Sequence, residues 1–279
     1  METTKQNKIH LLSFAAGPYN FHRAKIRFSK NAENSKLFDS IEVISGKDLE
    51  LIHSKFWNEH RRFINANLST GYGNYLWKPY LINHTLNQIN FGDILVYLDI
   101  GCFLNVENIN ARRKFKNYIN IVNNYDSLAM QLVDNEFGIK DLSENAWNSE
   151  SYLNHLNLNS EQRMSNQIQA GILFLKKTSK NLKFTSVWFD LCTYENYKFL
   201  APRLQNDQGI SRYDQSVFSP LYKNFGMFSI PDETFFAPNW LDLGEQYPIW
   251  AMRNRSGYDP KGNSIQNYIE RAVEYFSNY

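Results

Sequence analysis

The sequence predicts an α/β fold, in which helices cover a central sheet. Its clearest strand is Ile94–Leu98, an uninterrupted apolar run that is typical of a strand buried on both faces. Residues 9–15 and 169–177 predict further strands, and residues 41–44 a shorter one. After Ser45, apolar residues from Leu51 to Ile64 recur at mostly helical spacing, which indicates one helix.

Asp99 directly follows the Ile94–Leu98 run and is followed by Ile100 and Gly101. In open α/β sheets, the ligand crevice lies beyond the carboxyl ends of the strands. An acid at that point can contact a ribose, a sugar or a metal ion on a diphosphate, so Asp99 is the first candidate functional residue. The alternative is a turn, because Asp and Gly are common turn residues.

Two stretches carry a longer pattern, Gly71-Tyr72-Gly73-Asn74-Tyr75-Leu76-Trp77-Lys78-Pro79 and Gly92-Asp93-Ile94-Leu95-Val96-Tyr97-Leu98-Asp99-Ile100-Gly101-Cys102. Together they resemble the GYGYWxWKP…GDILxYxDxGC pattern of small bacterial polysaccharide transferases, which are GT-A fold glycosyltransferases that use sugar nucleotides. The resemblance implies a mixed, mostly parallel central sheet flanked by helices, in one domain over residues 1–279. It also implies a nucleoside diphosphate sugar as donor and a glycan or lipid-linked glycan as acceptor.

The end of the first predicted strand is a candidate donor site. Small residues there let a nucleotide base approach the backbone closely, which makes Ser13 and Ala15 candidate donor contacts. The helix that follows carries Arg23, Lys25 and Arg27. Arg27 is the candidate for reaching a phosphate, and a solvated helix face is the alternative.

Lys78 is predicted to lie at the start of a helix, because Pro79 suits the first helical turn. Backbone N–H groups at a helix start, together with a cation, favour an anion. We therefore expect Lys78 near the pyrophosphate or the transferred sugar of the donor. The alternative is an ordinary surface lysine.

Two later segments extend the resemblance. Gln169-Ala170-Gly171 enters a strand and resembles the GT-A segment in which a residue before a glycine lines the sugar pocket, so Gln169 and Gly171 are candidate substrate contacts. Asp214-Gln215 resembles the sugar-site pair of retaining GT8-like transferases, and we expect both residues to be catalytic. The alternative for Asp214 is a helix N-cap, a position that Asp favours.

The C-terminal third offers further charged candidates. Arg253 and Arg255 alternate in a predicted extended stretch and can present two guanidinium groups on one side, as phosphate contacts or as surface ion pairs. If the reaction inverts the sugar, a carboxylate must act as base, and Asp214, Asp232 and Glu233 are the candidates.

Composition narrows the class of protein. Hydrophobic residues make up 43% of the chain, enough for a substantial core, and a net charge of +2 gives no argument for a nucleic-acid partner. No apolar run approaches the ~20 residues of a membrane span. Residues 1–8 are polar and lack the apolar core of a signal peptide, and two cysteines do not suggest a disulfide framework. We expect a cytoplasmic protein, free or peripheral at the inner membrane face.

The leading hypothesis is a glycosyltransferase of surface polysaccharide or lipopolysaccharide synthesis. The alternatives are a sugar nucleotidyltransferase and a catalytically silent protein that binds sugar nucleotides or glycans. Against the nucleotidyltransferase, residues 15–19 do not form the glycine-rich basic loop that such enzymes carry after the first strand.

The metal prediction rests on a departure from the family pattern. Many GT-A enzymes carry Asp-x-Asp where this chain has Asp99-Ile100-Gly101, so the second metal ligand is absent. Magnesium often takes only one or two protein carboxylates beside phosphates and waters. Asp99 is therefore expected to hold Mn²⁺ or Mg²⁺ weakly and only with the donor. Otherwise Lys78, Arg253 or Arg255 would neutralise the leaving diphosphate.

Overall fold

A computed structural model describes residues 7–134, 138–200 and 211–277 of the chain. It contains eight strands: β1 (Ile9–Ala15), β2 (Ser40–Ser45), β3 (Ile94–Leu98), β4 (Phe103–Leu104), β5 (Ser127–Gln131), β6 (Ile168–Lys176), β7 (Ser229–Pro231) and β8 (Ile249–Trp250). Six of them form one sheet in the order β2-β1-β3-β6-β5-β7, and β4 pairs with β8. The pairs β1–β2 and β5–β7 are parallel, whereas β5 runs antiparallel to β6. The predicted α/β fold with a mixed, mostly parallel sheet flanked by helices is confirmed.

The helices of the described residues are α1 (Tyr19–Ser35), α2 (Gly46–Leu51), α3 (Ser54–Ala66), α4 (Gly71–Asn74), α5 (Trp77–Gln88), α6 (Ile109–Tyr125), α7 (Glu144–Trp147), α8 (Glu150–His155), α9 (Ser160–Met164), α10 (Ser179–Tyr197), α11 (Asp214–Asn224) and α12 (Ile265–Ser277). None of them is long and apolar enough to cross a membrane. Both cysteines, Cys102 and Cys192, are free and buried.

The prediction of one helix after Ser45 is wrong, because the structure has two helices there. Ser45 and Asp48 form a capping box that starts α2, and α3 begins only at Ser54. Leu51 and Ile52, two of the apolar residues whose spacing predicted one helix, lie at the break and are 64% and 73% exposed. The apolar spacing is therefore helical on both sides of the break but does not continue through it.

The chain folds into two compact units. Unit 1 comprises Met1–Arg62, Val96–Tyr118 and Glu233–Tyr279, and unit 2 comprises Phe63–Leu95 and Ile119–Asp232. The prediction of one domain over residues 1–279 stays a prediction.

Each unit has its own buried apolar residues. In unit 1, α1 packs on β1 and β2, and Leu11, Leu12 and Phe28 are buried. In unit 2, α11 packs on β6 and α10, and the largest buried side chains include Trp188 and Phe218. These cores fix the strand and helix ends from which the candidate site residues project.

Candidate functional site

The Asp99 turn in unit 1 lies at the carboxyl end of β3, as the sequence predicts. All five β3 residues are buried, whereas Asp99 is half-buried. Tyr97 lies two residues earlier, on the same face of the chain, and its hydroxyl donates to Asp99 Oδ1 at 2.7 Å. The Cys102 N–H donates to the Asp99 carbonyl at 2.9 Å and closes the turn. A fixed carboxylate at a strand end can accept hydrogen bonds from hydroxyl groups.

Gly101 shows why the second acid of Asp-x-Asp is absent. A Cβ atom at this position would lie 2.8 Å from the Arg253 Cα and 2.9 Å from its carbonyl carbon. The Asn254 N–H donates to the Gly101 carbonyl at 3.1 Å, which holds the two segments together. Because the crowding atoms belong to the backbone, a side chain at residue 101 would require the main chain to move.

Arg27 projects from α1 and is buried, with 8% of its surface exposed. Its Nε atom donates to the Ser256 carbonyl at 3.2 Å, and Nη1 donates to the Cys102 carbonyl at 2.9 Å. Nη2 donates to the Ile100 and Asn254 carbonyls, at 2.7 and 3.1 Å. Because all three guanidinium nitrogens contact main-chain oxygens, we assign Arg27 to holding these loops together, in place of the predicted phosphate contact.

The other candidates of unit 1 differ in exposure. Ser13 and Ala15 are buried in β1, and the Ser13 hydroxyl donates to the Leu98 carbonyl at 2.7 Å, which ties β1 to the end of β3. Arg253 and Arg255 are exposed, and Asn254 between them is buried. Arg253 has a φ of 56°, so this stretch is not a regular extended strand.

In unit 2, the segment before Lys78 has an unusual backbone. Five consecutive residues have positive φ: Gly71, Tyr72, Gly73, Asn74 and Tyr75. A Cβ atom at Gly73 would lie 2.9 Å from the Ile64 Cα, so only glycine fits there. Each non-glycine residue in this conformation costs about 1–3 kcal/mol, and such strain is concentrated at functional sites.

This strained turn places Lys78 at the second position of α5. The Lys78 N–H donates to the Tyr75 carbonyl at 2.9 Å, and Trp77 Nε1 donates to the Gly71 carbonyl at 3.0 Å. The Lys78 Nζ atom lies 5.1 Å from the centre of the Tyr75 ring and 5.8 Å from that of Trp77. Lys78 is 2% exposed, which excludes the alternative of an ordinary surface lysine.

Asp214 meets Lys78 within unit 2. Lys78 Nζ lies 2.8 Å from Asp214 Oδ2, and the two side chains are 3% and 4% exposed. Asp214 is the first residue of α11, while Tyr213 occupies the N-cap position without a side-chain cap bond. The interpretation of Asp214 as an N-cap is therefore wrong, and its carboxylate instead forms a buried ion pair.

Gln215 and Gln169 contact other polar side chains of unit 2. Gln215 is half-buried, and its Nε2 atom donates to Gln167 Oε1 at 2.9 Å. Gln169 Nε2 donates to Asp232 Oδ2 at 2.8 Å, and Gly171 lies half-buried on the same strand, β6. The structure thus brings Lys78, Asp214 and Gln215 together at the starts of α5 and α11.

The candidate bases are all engaged by other groups. Asp214 pairs with Lys78, and Asp232 accepts from Gln169. Glu233, in unit 1, lies 2.6 Å from Lys114 Nζ and accepts from the Tyr118 hydroxyl at 2.5 Å. Because a carboxylate has several acceptor positions, a role as base would place the acceptor hydroxyl beside one of these contacts or in exchange for it.

No pattern in the sequence predicts the buried polar cluster around Glu144. Glu144 is 0% exposed, and its Oε1 atom lies 2.6 Å from Lys223 Nζ. Burial raises the pKa of Glu144, although Lys223 opposes the shift, and burial lowers the pKa of Lys223. Glu144 is the first residue of α7. Three of its partners, Gln167, Ser219 and Lys223, are remote in the chain, so no local signal marks the cluster.

The described residues contain no group of three or more His, Cys, Asp or Glu side chains that could hold a metal ion. Asp99, the predicted ligand, contributes one carboxylate, and Gly101 has no room for a second. A hard divalent cation needs several oxygen ligands. The described residues therefore do not fit a resident Mn²⁺ or Mg²⁺ ion by themselves.

No family model and no curated protein matches the chain. Solved structures that are similar to it include three that it matches over most of their own lengths. One is a glycosyltransferase involved in the glycosylation of the major capsid of PBCV-1, with a TM-score of 0.47, 11% identity and coverage of 96% of this chain and 99% of that one. The galactosyltransferase LgtC, in complex with donor and acceptor sugar analogues, has a TM-score of 0.45, 12% identity and coverage of 96% and 95%.

The third is mouse xyloside xylosyltransferase 1, with a TM-score of 0.43, 11% identity and coverage of 87% of this chain and 97% of that one. At these TM-scores, the likeness does not bear on what the chain does.

Proposed function

We propose that the protein is a glycosyltransferase that moves a sugar from a nucleoside diphosphate sugar to a carbohydrate acceptor, in surface polysaccharide or lipopolysaccharide synthesis. The observation that carries the proposal is the buried ion pair between Lys78 and Asp214. These residues belong to two segments that are far apart in the sequence and that separately resemble glycosyltransferases. Lys78 belongs to the pattern over residues 71–79, and Asp214 belongs to the pair Asp214-Gln215, which resembles a sugar-site pair. Their contact in unit 2 supports a common role.

The energetics of the pair also favour a functional role. Burying two charges costs several kcal/mol per ion, and well-packed hydrophobic residues of similar volume often stabilise a protein equally or better. The strained turn at residues 71–75 leads into the helix that carries Lys78, and its strain adds a further cost in free energy. A cation and a carboxylate that are held together without solvent are suited to a ligand that carries both phosphate and hydroxyl groups.

Each residue has a proposed task. Lys78 offsets the charge that develops on the leaving diphosphate, and Asp214 accepts a hydrogen bond from a sugar hydroxyl while it holds Lys78 in place. Gln215 contacts the sugar, beside the anomeric carbon in a retaining reaction. Asp99 contacts the donor, and it would be the carboxylate that holds a divalent cation brought in with the donor, where the cation would offset charge on the diphosphate. Gln169 and Gly171 contact substrate hydroxyls, and Arg253 and Arg255 contact a phosphate.

We propose retention of the sugar configuration, because Asp214-Gln215 resembles the sugar-site pair of retaining enzymes. An inverting reaction would instead need Asp214, Asp232 or Glu233 as base for the acceptor hydroxyl.

A catalytically silent sugar-nucleotide-binding protein is the second candidate. Gly101 favours it, because the backbone of Arg253 occupies the space that a second acid would need. Such a protein would bind sugar nucleotides through the same residues without breaking the glycosidic bond.

Exposure of the purified protein to a panel of nucleoside diphosphate sugars separates the candidates. Slow hydrolysis of one donor, lost in Asp214→Asn, supports the transferase. Binding without turnover supports the silent protein, and pyrophosphate-dependent turnover supports a nucleotidyltransferase. Asp190→Asn, which changes an exposed acid of α10, is the matched control and is expected to behave as the wild type.

A further inference from the structure

The Glu144 cluster lies within unit 2, next to Gln215. Its carboxylate accepts hydrogen bonds from Asn148 Nδ2 at 2.7 Å, from Gln167 Nε2 at 3.3 Å and from the Ser219 hydroxyl. The Lys223 ammonium pairs with it and also donates to the Asn166 carbonyl at 2.7 Å. Donors therefore surround both carboxylate oxygens, as a buried carboxylate requires.

The Glu144 carboxylate determines the orientation of the Gln167 side-chain amide. An ionised carboxylate only accepts hydrogen bonds, so Gln167 must turn its NH₂ group towards Glu144. The carbonyl oxygen of Gln167 then faces Gln215, where it accepts from Nε2 at 2.9 Å. Gln167 is 0% exposed, so water cannot compensate for the opposite orientation. A flipped amide would place two oxygens against each other at Glu144.

The same constraint passes to Gln215. Because Gln167 offers an oxygen, Gln215 must present its NH₂ group to it, and the Gln215 carbonyl oxygen points elsewhere. An amide that could flip would offer a ligand either a donor or an acceptor. One that is fixed in this way always turns its carbonyl oxygen away from Gln167, and that oxygen can accept a hydrogen bond from a sugar hydroxyl.

We propose that Glu144 is a positioning residue that acts through Gln167 to fix the side-chain amide of Gln215 with its carbonyl oxygen towards a sugar hydroxyl. The part of this inference that concerns the sugar rests on the proposed function. The relay itself depends only on the contacts among three side chains. A polar cluster in a core can persist for such specificity when an apolar core would be as stable.

The relay is tested first without any ligand, by NMR of the side-chain amide groups. Comparison with Gln215→Ala identifies the NH₂ signals of Gln215. We expect these signals to shift and broaden in Glu144→Gln, where Gln167 gains a second possible orientation, and in Gln167→Met, where the amide is absent. Asp190→Asn, in the same unit, should leave them in place. Unchanged Gln215 signals in a folded Gln167→Met protein would overturn the relay.

The second test is a double-mutant cycle on donor turnover. Gln167→Met should lower turnover about tenfold while leaving the affinity for the bare nucleoside diphosphate unchanged. In a Gln215→Ala background, the same substitution should change turnover by less than about twofold, because the residue that it positions is gone. Equal losses in both backgrounds would show a structural role and contradict the proposal.

The two tests distinguish a failure of the relay from a failure of the proposed function. If the wild type turns over no donor, the proposed function falls, and the NMR comparison alone decides whether the relay exists. If Glu144→Gln does not fold, Gln167→Met still breaks the same link. Gln88→Met, an exposed glutamine on α5, controls for the Gln-to-Met change and should leave turnover unchanged.

Discussion

Arg27 in unit 1 and Lys78 in unit 2 are both buried cations, and the sequence predicts both as contacts of the donor phosphates. Arg27 donates to four main-chain carbonyl oxygens, those of Ile100, Cys102, Asn254 and Ser256. Lys78 instead pairs with the carboxylate of Asp214 and lies near two aromatic rings.

The role of a buried cation is therefore indicated by its partner, and not by its charge or its burial. Because carbonyl oxygens are part of the backbone, they cannot move away from Arg27 without moving the main chain. Arg27 therefore fixes the path of the loops around Asp99. A side-chain carboxylate can shift when a ligand brings its own charges and hydroxyl groups. Lys78 and Asp214 can therefore serve a substrate, whereas Arg27 serves the fold.

The largest effect is expected from breaking the Lys78–Asp214 pair. Lys78→Met or Asp214→Leu alone should lower the free energy of unfolding by about 3–5 kcal/mol, because the remaining charge is buried without its partner. The double variant should recover most of this stability and still have no donor turnover. Urea unfolding and donor hydrolysis measure the two quantities. A double variant that is both stable and active would show that the pair is only structural.

The exposed pair Lys261–Glu107 is the control for that experiment. Their side chains are 26% and 83% exposed, so Glu107→Gln should change the free energy of unfolding by less than about 1 kcal/mol.

Asp99→Asn should lower transfer by about 10²–10³-fold without unfolding the protein, because the carboxylate lies at a strand end and not in the core. Circular dichroism checks the fold, and donor turnover checks the effect. The amide can still accept from the Tyr97 hydroxyl, so the geometry of the turn should persist. Full activity in the folded variant would remove Asp99 from the site.

Arg27→Lys changes the cation that contacts the main-chain oxygens around Asp99. Lysine has one nitrogen in place of three and cannot reach all four carbonyl oxygens. We expect a loss of about 2–3 kcal/mol in the free energy of unfolding, with the nucleotide affinity of the folded protein unchanged. A stable variant that has lost nucleotide affinity would return Arg27 to the phosphate site.

The metal prediction is tested by calorimetry with Mn²⁺. Without nucleotide, we expect no measurable binding, because Asp99 alone supplies too few oxygen ligands. With the donor present, Mn²⁺ should raise turnover. A tight stoichiometric site in the nucleotide-free protein would refute the first part. Activity that survives exhaustive chelation would assign charge neutralisation to Lys78, Arg253 or Arg255.

The smallest effect concerns His60, which is buried against Phe56 in α3. Burial lowers the pKa of His60 below its usual 6.5, and the nearby Glu59 only partly opposes the shift. As the pH falls through 6.5, the unfolded chain takes up a proton that the folded protein does not, so stability falls. Urea unfolding between pH 7.5 and 5.5 should therefore show a steeper loss for the wild type than for His60→Gln, and equal slopes would contradict this.

The sequence predicts the elements that depend on neighbouring residues. Apolar runs place β1, β3 and β6, and Pro79 places the start of α5. Asp99 at the end of β3 follows from the same local signal, because an acid after a buried run must leave the core.

The contacts that define the candidate site depend on residues far apart in the chain. No residue near Lys78 in the sequence indicates Asp214 as its partner. None near Gln215 indicates the contacts with Gln167 and, through it, with Glu144. The role of Arg27 depends on carbonyl groups of two remote loops, and the crowding at Gly101 depends on the path of Arg253. Hydrophobic periodicity and secondary-structure propensity carry no information about such long-range contacts.

Nucleotide binding, measured for three proteins, decides whether the Lys78–Asp214 pair belongs to the donor site. UDP, GDP, ADP and CDP would be titrated into the wild type, Arg27→Lys and the Lys78→Met/Asp214→Leu double variant. We predict that one nucleotide binds the wild type and Arg27→Lys with equal affinity and binds the double variant at least about tenfold more weakly. A double variant that binds as tightly as the wild type would contradict the assignment of the Lys78–Asp214 pair to the donor.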